Sequence, residues 1–186
     1  MTLDFKIIKR IGVIILKTVI IYGTKYGTTK KCVDSLCEKI EGDFDLVEIS
    51  EADKKTIKNA DRVIIVTPIY IGDFYKGIKK YCKKNIEELL KKDVYIMMCC
   101  STKDEWLLGG YVIKNTSPLF MKHVKTFMSV GGALNYDNLT FTEKKLIDFV
   151  LKKGQNNNRQ ELKYMNNVEE DRIQKFADIV NGKCEA

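Results

Sequence analysis

The sequence predicts an α/β domain: a three-layer, doubly wound parallel sheet of five strands with helices on both faces. From residue 18 onward, short β-branched or apolar runs alternate with longer stretches whose apolar residues recur at helical spacing. The strand runs are continuously apolar rather than alternating, as expected of strands covered on both faces. At 186 residues, 45% of them hydrophobic, the chain can bury the core of one such domain.

The elements follow in order. Thr18-Val19-Ile20-Ile21-Tyr22 reads as the first strand, and residues 28–41 as a helix with Val33, Leu36, Cys37 and Ile40 on one side. Residues 45–49 make a short second strand, 57–60 a brief helix or turn, and 62–67 a buried strand. A helix over 76–91 carries Ile78, Tyr81, Cys82, Ile86, Leu89 and Leu90 among lysines, and 94–99 is the fourth strand. A helical piece at 117–123, with Pro118 suited to its first turn, leads into a fifth strand at 126–130, and 169–181 is the closing helix. The pattern alone leaves open which of the common doubly wound strand orders applies.

Composition narrows the function. The formal charge of +7 comes from lysine, since Arg10, Arg62, Arg159 and Arg172 are the only arginines. That field suits an anionic substrate, lipid surface or nucleic acid, but no nucleic-acid-reading motif accompanies it, so none is expected as a partner. The six cysteines lack the two-residue spacing of redox or zinc motifs, and the adjacent Cys99 and Cys100 read as small apolar residues of a reducing, cytoplasmic protein. A lone histidine, His123, builds neither a triad nor a metal cluster, so no metal and no catalytic side chain are expected. Two prolines, 12 glycines and no biased stretch mark no linker between domains. Lys9 and Arg10 before Ile11 to Leu16 imitate a signal peptide without a cleavage site. Residues 1–16 are therefore expected to be an N-terminal extension ahead of the domain at 17–186, the alternative being that translation starts near Leu16.

Ligands of open parallel sheets bind beyond the carboxyl ends of the strands. Three loops lie there. Thr24-Lys25-Tyr26-Gly27-Thr28-Thr29 runs from the first strand into the first helix, with hydroxyls, a flexible glycine and unpaired amides that suit a phosphate, to which Lys25 adds charge. The same residues also suit a plain turn with a threonine cap. The loop is neither a Walker loop nor a dinucleotide fingerprint. Thr67-Pro68-Ile69-Tyr70-Ile71-Gly72 continues to Phe74 after the third strand; an aromatic there can stack on a planar ring, or simply cover the sheet end. Ser101, Thr102 and Trp106 follow the fourth strand and offer backbone contacts and one more ring.

These motifs resemble the flavodoxin family. In its phosphate loop, Ser/Thr-x-Thr-Gly-x-Thr follows the first strand; Thr24, Gly27 and Thr29 agree, while Tyr26 stands where the middle threonine would be. Residues 22–29, 68–74 and 130–136 look most like the branch that includes the FMN- and quinone-dependent protoporphyrinogen dehydrogenase, and the resemblance covers most of residues 17–181. It implies the strand order 2-1-3-4-5, an FMN cofactor with its ring against residues 67–72, and a segment inserted at about 137–160. Read from its own residues, that insertion holds a basic amphipathic helix (Phe141, Leu146, Ile147, Phe149, Val150 and Leu151 among Lys144, Lys145, Lys152 and Lys153), then a polar loop at 155–160. The helix suits contact with an anionic bilayer or a place on the domain.

The expected function is then an FMN-dependent oxidoreductase taking electrons from protoporphyrinogen or a similar substrate to a quinone, at the inner face of a membrane. The alternative is a flavodoxin-type electron carrier that docks on redox partner proteins. Lys76, Lys79, Lys80, Lys83 and Lys84 form a positive helix face that favours the enzyme, because carriers of this fold dock through acidic faces.

Overall fold

The computed structural model describes residues 16–153 and 163–184. The expected extension at 1–15, the polar loop at 155–160 and the side chains of Val150, Leu151, Lys152 and Lys153 lie outside the described residues. The central sheet contains β1 (Thr18–Tyr22), β2 (Phe44–Glu48), β3 (Arg62–Tyr70), β4 (Asp73–Phe74), β5 (Asp93–Cys99) and β6 (Thr126–Ser129). Its order is β2-β1-β3-β5-β6, all parallel, with β4 added antiparallel to the end of β3. The five parallel strands in that order are the 2-1-3-4-5 arrangement.

The layers follow from side-chain alternation. Val19, Ile21, Val63, Ile65 and Ile96 point to one face, against α2 (Lys76–Lys84), α3 (Ile86–Leu89), α4 (Glu105–Asn115) and α5 (Pro118–His123). Ile20, Ile64, Val66 and Met97 point to the other, against α1 (Thr28–Cys37) and α7 (Glu170–Val180). Both faces being covered explains the unbroken apolar runs. Phe120 anchors the first core and Phe176 the second, each fully buried, and such a side chain stabilises by about 2–3 kcal/mol. Arg62 ties the sheet's lower edge together, donating from Nε to the Thr18 hydroxyl at 3.1 Å and from its guanidinium to the carbonyl of Val180.

Four local features depart from the sequence reading. The first helix ends at Cys37 rather than near Glu41. The helix over 76–91 breaks at Asn85, whose N–H and side-chain amide both donate to the carbonyl of Tyr81. The third strand does not end at Thr67: it runs to Tyr70 and folds back through a two-residue turn, Ile71 at φ 54° and Gly72 at φ 75°. A β-branched residue in left-handed geometry is rare, so the sequence gives no hairpin signal there. Finally, α4 was not anticipated. Its paired Gly109-Gly110 and evenly spread apolar residues hide the helix, although Asp104 caps it by accepting from Trp106 N and Leu107 N at 2.9 and 3.2 Å.

Beyond β6 the chain leaves the sheet. β7 (Ala133–Asn135) pairs antiparallel with β8 (Tyr164–Asn166), and α6 (Phe141–Lys153) lies between them in sequence. The return is sewn to the sheet end by Asn167 N donating to Gly132 O and Glu169 N to Val130 O. No helix among the described residues is long and apolar enough to cross a membrane.

Candidate functional site

The ends of β1, β3 and β5 surround a cavity of about 260 Å³. One end is the turn into α1. Gly27, at φ 83°, begins the helix, and Thr24 steadies the turn by accepting from Gly27 N at 3.1 Å. The first intrahelical bond runs from Lys31 N to Gly27 O, and no side chain caps the helix. The amides of Thr28, Thr29 and Lys30 therefore point out of the helix start, where Thr24, Thr28 and Thr29 line the cavity. Uncapped amides with the positive end of the helix dipole make an anion seat.

The side walls are apolar. Pro68, Ile69, Tyr70 and Ile71 supply one, Cys99, Cys100 and Ser101 another, and Leu139, Leu146, Ile147 and Met165 lie across from them. Buried Thr67 and Asn115 fix the β3–β4 hairpin. The Thr67 hydroxyl accepts from Tyr75 N at 3.0 Å; Asn115 accepts from Phe74 N at 3.1 Å and donates to the carbonyls of Gly72 and Tyr111. Tyr26 and Tyr70 meet edge to face at 6.3 Å. Burial pushes the Tyr70 phenol up to about 12. A hydrogen bond with Cys32 and then burial raise the Cys99 thiol, and burial raises that of Cys100. The side walls around Tyr70, Cys99 and Cys100 are thus uncharged at neutral pH.

The charge sits at the anion end. Glu143, on the first turn of α6, accepts from Lys25 Nζ (2.7 Å), Tyr26 OH (2.6 Å), and the backbone N–H (2.9 Å) and hydroxyl (2.6 Å) of Thr140. Burial alone would raise its carboxyl; the hydrogen bonds from Lys25, Thr140 and Tyr26 outweigh that and hold it at about 2. Lys25 is correspondingly raised, chiefly by its bond to Glu143.

Of the residues singled out from sequence, Thr24, Tyr26, Thr28, Thr29, Pro68, Ile69, Tyr70, Ile71 and Ser101 come together on this cavity. Gly27 and Gly72 sit in the two turns, Thr67 is buried in β3 beneath the hairpin, and Lys25 bonds to Glu143 rather than lining the cavity. Thr102 and Trp106 are not on the cavity; Trp106, 83% exposed, opens α4. The sequence reading gave no site role to Gly132, Ala133 and Leu134, although they lie in the 130–136 motif, nor to Met165, whose three-residue strand carries no periodic signal, nor to Glu143, which the motif Thr140-Phe141-Thr142-Glu143 announces as a capping box. His123 serves structure, with Nε2 2.7 Å from the carbonyl of Lys92. No cluster of metal-ligating residues occurs among the described residues.

Residues 19–161 match the family described as flavodoxin domain. Among solved structures, the chain is similar to the flavodoxin of Streptococcus pneumoniae TIGR4, with 15% identity, 90% of this chain and 99% of that one covered, and a TM-score of 0.51. It is also similar to the Fusobacterium nucleatum flavodoxin bound to flavin mononucleotide, with 17% identity, coverage of 91% and 99%, and a TM-score of 0.50. A rubredoxin oxygen:oxidoreductase from Desulfovibrio gigas follows at 12% identity and a TM-score of 0.49; 90% of this chain aligns, spanning 35% of that protein. At these identities the likeness is one of fold. No curated protein sequence matches the chain.

Proposed function

The chain belongs to the flavodoxin-domain family, and on that premise we propose that it holds FMN in the cavity at the strand ends and moves electrons through it. The observation that carries this reading is the convergence on one cavity of an uncapped helix start and apolar walls with an uncharged aromatic. The first suits a phosphate, the second a planar ring. FMN, when bound, supplies the redox chemistry, and the chain's own residues bind and orient it. In this reading the amides of Thr28, Thr29 and Lys30 and the hydroxyls of Thr24 and Thr28 hold the phosphate. Ile69, Tyr70 and Ile71 bear on the ring, and the backbone of Cys100 and Ser101 meets its polar edge. Gly27, Thr67 and Gly72 position those groups, and Lys25 adds charge at the phosphate end.

The finer reading is an oxidoreductase that takes electrons from a reduced substrate such as protoporphyrinogen and delivers them to a quinone. Its support is the roof formed by Leu139, Leu146 and Ile147, which makes an apolar chamber over the strand ends. Phe141, 71% exposed on the roof helix, suits contact with a bilayer where quinone resides. The second reading, a carrier docking on redox proteins, is favoured by the exposed apolar Ile71 and Trp106.

The test begins with a visible spectrum of the purified protein after incubation with FMN. A protein that takes up no FMN refutes the cofactor assignment. Anaerobic oxidation of protoporphyrinogen with and without a menaquinone analogue then separates the readings. Turnover supports the enzyme; reduction by a flavodoxin reductase without turnover supports the carrier.

A further inference from the structure

Besides its backbone and threonine hydroxyls, the phosphate loop carries two further side chains able to hold an anion, the Lys25 ammonium and the Tyr26 hydroxyl, and both are already engaged. They donate to the two carboxylate oxygens of Glu143 at 2.7 and 2.6 Å, across 118 and 117 residues of sequence. Glu143 also forms part of the cavity wall beside Thr24, Thr28 and Thr29. Its acceptance of the Thr140 N–H at 2.9 Å is the side-chain half of a capping box, which accounts for its place at the start of α6. A glutamine serves a capping box equally well, so the helix does not need the charge. The charge is used at the loop: an internal anion satisfies the donors that an external anion would seek, and it belongs to the same helix that roofs the cavity with Leu146 and Ile147.

We propose that Glu143 is an internal stand-in for phosphate, holding Lys25 and Tyr26 in the free protein until an entering phosphate monoester takes them over. The inference rests on the reading of this cavity as an FMN site. The chemistry follows from charge. A carboxylate and a phosphate dianion repel at the separations this cavity allows, so phosphate binding requires the carboxylate to give up its partners. An unphosphorylated flavin brings no anion to replace it. Residue 143 therefore sets the preference for FMN over riboflavin and keeps the roof pinned to the loop while the site is free of phosphate.

The experiment compares the wild-type protein with Glu143→Gln, which keeps the capping box and removes the charge. FMN and riboflavin are titrated by flavin fluorescence, and inorganic phosphate by amide chemical shifts at Gly27, Thr28 and Thr29. Glu143→Gln is expected to bind FMN about fivefold more tightly, as loss of an exposed charge contact implies, with phosphate binding strengthened in the same direction and riboflavin unchanged within about twofold. A second variant, Lys25→Met, is expected to weaken FMN binding, because the proposal hands Lys25 to the phosphate. Glu143→Gln binding FMN equally or more weakly overturns the proposal and makes the carboxylate a simple clasp. An equal shift for FMN and riboflavin overturns it as well, since a merely structural role would move both. If neither protein binds FMN but Glu143→Gln gains phosphate affinity at the loop, the FMN reading fails and the stand-in holds. If both bind FMN identically, the FMN reading holds and the stand-in fails.

Discussion

Replacing Gly131 by alanine tests how the roof is joined to the sheet. Gly131 follows β6 at φ 81°, and a Cβ built there would lie 1.6 Å from the carbonyl oxygen and 2.6 Å from the carbonyl carbon of Asn167. Both atoms are backbone, so no rotamer relieves the overlap. The segment returning from β8 must move away, breaking Asn167 N to Gly132 O and Glu169 N to Val130 O. Left-handed strain costs about 1–2 kcal/mol, and two buried backbone hydrogen bonds cost roughly 1 kcal/mol each. The total is about 3–4 kcal/mol, a large fraction of a typical domain's stability. Gly182→Ala is the matched control: Gly182 has φ 73° but nothing within 4 Å of its would-be Cβ, so it should lose only the strain. Urea unfolding of both variants followed by far-UV circular dichroism measures the difference. Trp106 fluorescence is a poor reporter, because that ring is already 83% exposed. Gly131→Ala should also lose flavin uptake, since Gly132 and Ala133 form part of the cavity wall. A stability loss equal to that of Gly182→Ala would refute the steric argument.

Other substitutions probe the remaining walls. Thr24→Val removes the acceptor for Gly27 N and should weaken FMN binding by about tenfold, the equivalent of one hydrogen bond, read by equilibrium dialysis with free FMN. Asn115→Ala leaves Phe74 N and the carbonyls of Gly72 and Tyr111 without their partner and should cost about 3 kcal/mol; an unchanged urea midpoint would contradict the assigned network. The low carboxyl value of Glu143, about 2 with burial opposing and the bonds from Lys25, Thr140 and Tyr26 prevailing, gives a pH dependence of definite sign. A depressed carboxyl stabilises the fold above its unfolded value of about 4.3, and that contribution is lost as pH falls toward 2. After screening, the wild type should exceed Glu143→Gln by roughly 1 kcal/mol at pH 7; a gap between their urea midpoints that persists unchanged at pH 2.5 would count against the clasp.

The layered parallel sheet was legible because its central strands are buried on both faces, and continuous burial writes an unbroken apolar run into residues 18–22, 62–67 and 94–99, whereas the strand order followed only from the family resemblance. The turn into α1 was legible for a related reason. Gly27 must hold φ 83° and Thr24 must reach Gly27 N, so a local conformation constrains local residue types. The β3–β4 hairpin was not legible, because Ile71 occupies a left-handed turn position that its side chain disfavours. What holds that hairpin is Asn115, 43 residues downstream of Gly72, and Thr67 at its base.

Periodicity and short-range turn chemistry, both local, specify the layered fold, the two core faces and a candidate anion seat at the start of α1. Tertiary packing alone places Leu139, Leu146, Ile147 and Met165 over the cavity and brings Glu143 to Lys25 and Tyr26. Those contacts join positions 117 and 118 residues apart, and a pairing over such a distance leaves no periodic or local trace in the chain. It exists only because the sheet brings the ends of β1, β3 and β5 to one place.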